Sequence, residues 1–123
     1  MNLAELFRHE TELLDLAAGS ALFLEGDKGE LMYVLISGTS EISVRGRLME
    51  IAQEGAILGE MAMIDEGVRS ATVVAKTNCK LFAIEQKRFN FLIQQTPNFA
   101  MHVMKVIAKR LRRTDELLAS MRP

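Results

Sequence analysis

The stretch Gly59-Glu60-Met61-Ala62-Met63-Ile64-Asp65-Glu66-Gly67-Val68-Arg69-Ser70-Ala71-Thr72-Val73 decides how the rest of the chain is read. Gly59 lets the backbone approach a neighbour closely. The residues after it suit one helical turn whose free N–H groups point at an anion. Ten positions after Gly59, Arg69 supplies a planar, fork-shaped cation of the kind best matched to a phosphate. Ser70 adds a hydroxyl donor beside it. Glu60 has the wrong charge for a phosphate, but a carboxylate accepts hydrogen bonds from sugar hydroxyls. Ala62 and Ala71 are small enough to leave room for the backbone to approach. Together these residues describe a nucleotide held by one phosphate and the ribose beside it.

Outward from this stretch the chain has two kinds of punctuation. All eight glycines lie between Gly19 and Gly67, and none occurs in the last 56 residues. Before and just after the quoted stretch come short apolar segments: Glu12–Ala17, Ala21–Leu24, Leu31–Ser37, Glu41–Val44, Leu48–Ala52, Thr72–Lys76 and Lys80–Ile84. Gly26-Asp27-Lys28-Gly29, Ser37-Gly38 and Arg45-Gly46-Arg47 are the clearest turns between them. Short strands at this spacing predict a β-sandwich, roll or barrel. Asn2–Phe7 reads as a short N-terminal helix. Phe89–Gln95 reads as a second, Pro97 interrupts it, and a longer helix runs from about Asn98 to Met121.

That last helix carries a seam. Ala100, Met104, Ile107, Leu111, Thr114, Leu118 and Met121 follow at alternating spacings of four and three, an a/d pattern over three heptads. A narrow seam suits a partner helix, so a homodimer through this helix is expected; packing within one chain is the alternative. Phe99, Val103 and Val106 form a flanking stripe expected to lie on the β-domain. Thr114 is the odd member, because a hydroxyl on an apolar seam is unfavourable unless hydrogen-bonded. Lys105, Lys109, Arg110, Arg112 and Arg113 read as solvated positions between seam residues. With no second helix behind a tight turn, they do not make a helix-turn-helix reader.

Composition removes other classes. The 123 residues are 49% hydrophobic and 25% charged, as expected of one folded domain. Fifteen basic and sixteen acidic residues give a net charge of −1, which offers nothing to nucleic acid or an anionic membrane. No apolar run approaches the roughly 20 residues of a membrane helix, and no N-terminal stretch reads as a signal peptide. The expected compartment is the cytoplasm. A single cysteine, Cys79, excludes an intramolecular disulfide and a cysteine-ligated metal within one chain, and reads as a small buried hydrophobe. His9 and His102 lie in distant segments, so no metal site and no metal-dependent catalysis on a β-roll are expected.

The quoted stretch resembles the phosphate-binding cassette of the cyclic-nucleotide-binding domain family. That pattern runs Gly-Glu-(Leu)-Ala-(Leu), a short variable loop, then Arg-(Ser/Thr/Ala)-Ala-Thr/Ser-Val. Glu25-Gly26-Asp27, Met32-Tyr33, Ser37-Gly38, Gly55, the Ala75-Lys76-Thr77-Asn78 turn, Phe89 and Pro97 follow in the family's order. The surroundings are similar to the sensor domains of bacterial catabolite activators and of protein kinase A regulatory subunits. Val68 stands where many members have proline, and Leu58 where an aromatic is common.

The resemblance implies an eight-stranded antiparallel β-roll over about residues 11–85. A short N-terminal helix and C-terminal helices over about 86–121 complete a single domain, 1–123. It implies a 3′,5′-cyclic nucleotide ligand, cAMP or cGMP, and no cofactor. By position, Arg69 pairs with the cyclic phosphate and Glu60 accepts from the ribose 2′-OH. The backbone N–H groups near Ala62 and Ala71, with the Ser70 hydroxyl, complete the cradle, and Gly59 permits close approach. Leu58, Met61 and Val73 form apolar walls, and Thr114 contacts the base. The implied function is a stand-alone, non-enzymatic sensor. Its C-terminal helix shifts on ligand binding, and it signals to an effector protein in trans. The alternative is a dimerisation or docking module for which nucleotide is irrelevant.

Overall fold

A computed structural model of the chain describes residues 1–65 and 67–121. It divides into two compact units, Asn2–Phe89 and Asn90–Pro123 with Met1.

The first unit opens with helix α1 (Leu3–Phe7), whose N-cap Asn2 accepts a hydrogen bond from the Glu5 amide at 3.2 Å. Eight strands follow: β1 (Leu13–Leu16), β2 (Ala21–Phe23), β3 (Met32–Ser37), β4 (Ser40–Val44), β5 (Arg47–Ala52), β6 (Ile57–Leu58), β7 (Thr72–Ala75) and β8 (Cys79–Ile84). The one-turn helix α2 (Met61–Ile64) sits between β6 and β7. The strands form two four-stranded antiparallel sheets, β1-β8-β3-β6 and β2-β7-β4-β5. This is the expected roll.

The core lies between the sheets. Leu35, Leu58, Cys79 and Leu81 from one sheet meet Ala52, Val73 and Ala75 from the other. β3 is buried along most of its length, since its far face is covered by α1. Leu3, Ala4 and Phe7 of α1 are buried, and Phe7 stacks on Phe82 of β8 with ring centroids 4.9 Å apart. β4 and β5 are joined by Arg45 and Gly46, both at positive φ (51° and 76°), as a two-residue hairpin of matching twist requires.

Helix α3 (Gln86–Gln95) leaves the roll. Its first side chain, Gln86, donates to the Met63 carbonyl at 3.2 Å. The helix begins three residues earlier than expected, because Gln86-Lys87-Arg88 carry no apolar periodicity to reveal them. In the second unit, α4 (Pro97–Ser120) starts with proline in its first turn, where the missing N–H costs nothing. Its 24 residues span about 36 Å. Phe99 and Val103 are buried. Met104, Leu111, Leu118 and Met121 of the seam are 54–61% exposed. Among the described residues, no helix is long and apolar enough to cross a membrane.

Candidate functional site

The quoted stretch links the two sheets, from the end of β6 on one to the start of β7 on the other. Gly59 turns the chain with φ +75°. A Cβ there would also meet the Leu31 carbonyl and the Phe23 ring, each at 3.2 Å, so both conformation and space demand glycine. Glu60 follows as the N-cap residue of α2 and is 6% exposed.

Arg69 arrives from the other side and is 7% exposed. Its backbone is clamped to the β2–β3 connection. The Arg69 amide donates to the Asp27 carbonyl at 2.7 Å, and the Gly26 amide donates to the Arg69 carbonyl at 2.9 Å. A bridge between Lys28 and Val68 extends the clamp. Asp27 in turn caps its own turn, its carboxylate accepting from the Leu24 amide at 3.0 Å.

The guanidinium is held by different neighbours. Its carbon lies 4.2 Å from the centroid of the Phe23 ring. Nη1 donates to the Gly59 carbonyl at 3.3 Å, and the Ala62 amide donates to the same oxygen at 3.2 Å. One oxygen thus ties the α2 arm of the stretch to the Arg69 arm. Nε is buried, with no hydrogen-bond partner among the described residues. Burial pushes the Arg69 pKa below the ordinary arginine value, while Tyr33, Asp27 and Glu60 pull it back up. An arginine starts so high that it stays a cation throughout. The site therefore presents a desolvated positive charge with a donor to spare, which is chemistry for an anion.

The other expected site residues divide. Ser70 is exposed, and Ala62 and Ala71 are half-buried. Met61 is 39% exposed, whereas Leu58 and Val73 are 1% and 2% exposed and belong to the inter-sheet core. Thr114 lies on α4 in the second unit, exposed, and its hydroxyl donates to the Arg110 carbonyl at 3.1 Å. That bond satisfies the hydroxyl within its own helix. Sequence reading missed Phe23 and Gly29, which touch the guanidinium. Nothing local marks them, because they meet Arg69 only through sheet pairing and loop path. Among the described residues there is no cluster of metal-ligating side chains.

The profile of the cyclic nucleotide-binding domain matches residues 13–96. The chain is 32% identical over 108 residues to the cAMP-activated global transcriptional regulator CRP of Pasteurella multocida, covering 83% of this chain and 52% of that one. The crystal structure of the Thermus thermophilus catabolite activator protein aligns with a TM-score of 0.78 and 30% identity, over 89% of this chain and 54% of that one. A structure described as Sp-2Cl-cAMPS bound to PKAR CBD2 shares the fold, with a TM-score of 0.70 and 21% identity over 85% of this chain and 71% of that one. The chain spans about half the length of the curated relatives it matches. With the profile matched over residues 13–96, which span both sheets, the glycine turn and the buried arginine, the chain belongs to the cyclic nucleotide-binding domain family.

Proposed function

We propose that the chain is a regulatory sensor module that binds a 3′,5′-cyclic nucleotide and is not itself a catalyst. The observation that carries this reading is the Arg69 guanidinium, buried and charged, with an Nε donor for which no acceptor is found among the described residues. A cyclic phosphate suits that cation as acceptor and as counter-charge, beyond the partial compensation from Tyr33, Asp27 and Glu60. Glu60, buried one residue after Gly59, is assigned to the ribose 2′-OH. The Ser70 hydroxyl and the amides near Ala62 and Ala71 complete the cradle, and Gly59 admits the phosphate. Met61 is the accessible apolar contact, with Leu58 and Val73 supporting from the core. Thr114 is kept as a base contact on the family resemblance. The cAMP-activated relative supports cAMP as the first ligand to test, with cGMP the second.

Ligand binding then biases α4, by no more than the difference in ligand affinity between its two arrangements. The exposed seam Met104, Leu111, Leu118 and Met121 supports pairing of α4 with a second copy of the chain. The output passes to an effector protein in the cytoplasm, with no direct use of nucleic acid or membrane. The same exposed seam supports the rival reading, a docking module indifferent to nucleotide.

Calorimetric titration with cAMP and then cGMP decides between them, on protein checked for nucleotide carried through purification. Saturable binding near one nucleotide per chain, with a raised melting midpoint, is expected. No heat and no shift in midpoint with either ligand would leave the docking reading.

A further inference from the structure

We infer that Phe23 and Gly29 are positioning residues that set the strength of the anion site by seating Arg69; the inference rests on Arg69 being the phosphate ligand. Arg69 and Phe23 belong to different strands and connections. They meet because β2 pairs with β7 in the register that sets Phe23 opposite Val73, four residues beyond Arg69. The contact is face-on, 4.2 Å from guanidinium carbon to ring centroid. The negative face of an aromatic ring offsets part of the hydration a buried cation has lost. Tyr33 backs the Phe23 ring, with centroids 6.3 Å apart.

Gly29 closes the seat. It is not among the glycines at positive φ, so its backbone does not ask for glycine. A Cβ on Gly29 would instead fall on the Arg69 guanidinium, meeting Nε, Cζ and Nη2. The missing side chain is space that the guanidinium occupies. An arginine already held in its binding orientation has less ordering left to do when the anion arrives, so the seat strengthens binding without touching the ligand.

The test uses Phe23→Leu, Phe23→Tyr and Gly29→Ala, each checked for an unchanged fold by its amide NMR spectrum. Affinity for cAMP and cGMP is read by calorimetry. The Arg69 Nε–H resonance is read by NMR and identified by its loss in Arg69→Ala. Phe23→Leu keeps the burial and loses the ring face, and is expected to weaken binding about 3- to 30-fold. Phe23→Tyr keeps the ring and is expected within about twofold of the parent. Gly29→Ala is expected to weaken binding at least as much as Phe23→Leu. In an Arg69→Ala background, Phe23→Leu is expected to change nothing further. The Nε–H signal is expected to carry a ring-current shift in the parent and Phe23→Tyr, and to move to the ordinary arginine position in Phe23→Leu.

Equal affinities in the Leu and Tyr variants would overturn the seat and leave the nucleotide reading standing. If the parent binds neither nucleotide, that reading falls, and the resonance alone decides. A shift lost only in Phe23→Leu sustains the seat, and an unshifted parent signal overturns it.

Discussion

The cassette and the far half of α4 break the inside–outside rule in opposite directions. At the cassette a charge is inside: Arg69 is 7% exposed and keeps a buried donor without a partner among the described residues. On α4 apolar groups are outside: Leu111 and Leu118 are 61% and 58% exposed at heptad spacing. A buried cation is unfavourable unless compensated, and Tyr33, Asp27 and Glu60 offset the burial of Arg69 only in part. A stripe of exposed leucines is unfavourable unless covered. The two faults have remedies of different size. One small anion repairs the first, through a few directional contacts. Only an extended surface repairs the second, through area. The cassette is accordingly held by many ties that fix one geometry, while on α4 the Thr114 hydroxyl donates to the Arg110 carbonyl and the Ser120 hydroxyl to the Leu117 carbonyl, each within about one turn of the same helix.

The sharpest way to break this comparison is at Arg69. Arg69→Ala is expected to cost about 2–5 kcal/mol of cyclic nucleotide binding, or roughly 30-fold to several thousand-fold in affinity by calorimetry. A loss under about threefold would remove Arg69 from the phosphate role. Arg69→Met keeps much of the volume and removes the charge. It is expected to hold or raise the melting midpoint without nucleotide, because the fold no longer buries a cation, and to abolish the nucleotide-induced rise.

The seam comes next. Leu111→Ala combined with Leu118→Ala removes four leucines from a symmetric pair. The expected loss is about 2–4 kcal/mol of dimer stability, a rise of roughly 30- to 1000-fold in the dimer dissociation constant. Sedimentation of parent and variant over a dilution series measures it. A parent that is monomeric throughout would transfer the seam to another partner.

Thr114→Val, on α4, has a smaller expected effect. It is expected to lower nucleotide affinity by about fivefold, the worth of one hydrogen bond near 1 kcal/mol. Unchanged affinity together with a tighter dimer would assign the hydroxyl to its bond with Arg110 alone.

The smallest effect is in pH. Burial pushes the His102 pKa below the ordinary 6.5, helped by the N-terminal ammonium and Lys105. The folded state therefore favours the neutral imidazole. Its contribution is intact above pH 6.5 and is lost as pH falls from there through the lowered folded value. Denaturant unfolding across that window should show parent stability dropping faster than that of His102→Gln.

The seven longer strands are legible as apolar runs between turn residues, each within a residue or two of its observed bounds. β6 is not, because two residues, Ile57 and Leu58, are too few to show alternation; pairing with Tyr33 and Val34 makes them a strand. The Gly59, Glu60 and Arg69 spacing is legible because one short connection carries all three. Phe23 and Gly29 are not, since they lie 46 and 40 positions before Arg69 and nothing in their own neighbourhoods refers to it.

What the sequence determines by itself is what short-range chemistry writes. This includes the strand-and-turn punctuation, the proline-started final helix with its heptad seam, and a cassette whose residue types call for a phosphate and a ribose. What only the tertiary structure decides is how that cassette is supported. The register of β2 on β7 brings an aromatic face beneath Arg69, and the path of the β2–β3 connection lays Gly29 against it. Sequence pattern records which face of a strand is apolar. It does not record which residue of a distant strand will stand opposite, because pairing register is settled by the packing of both sheets at once.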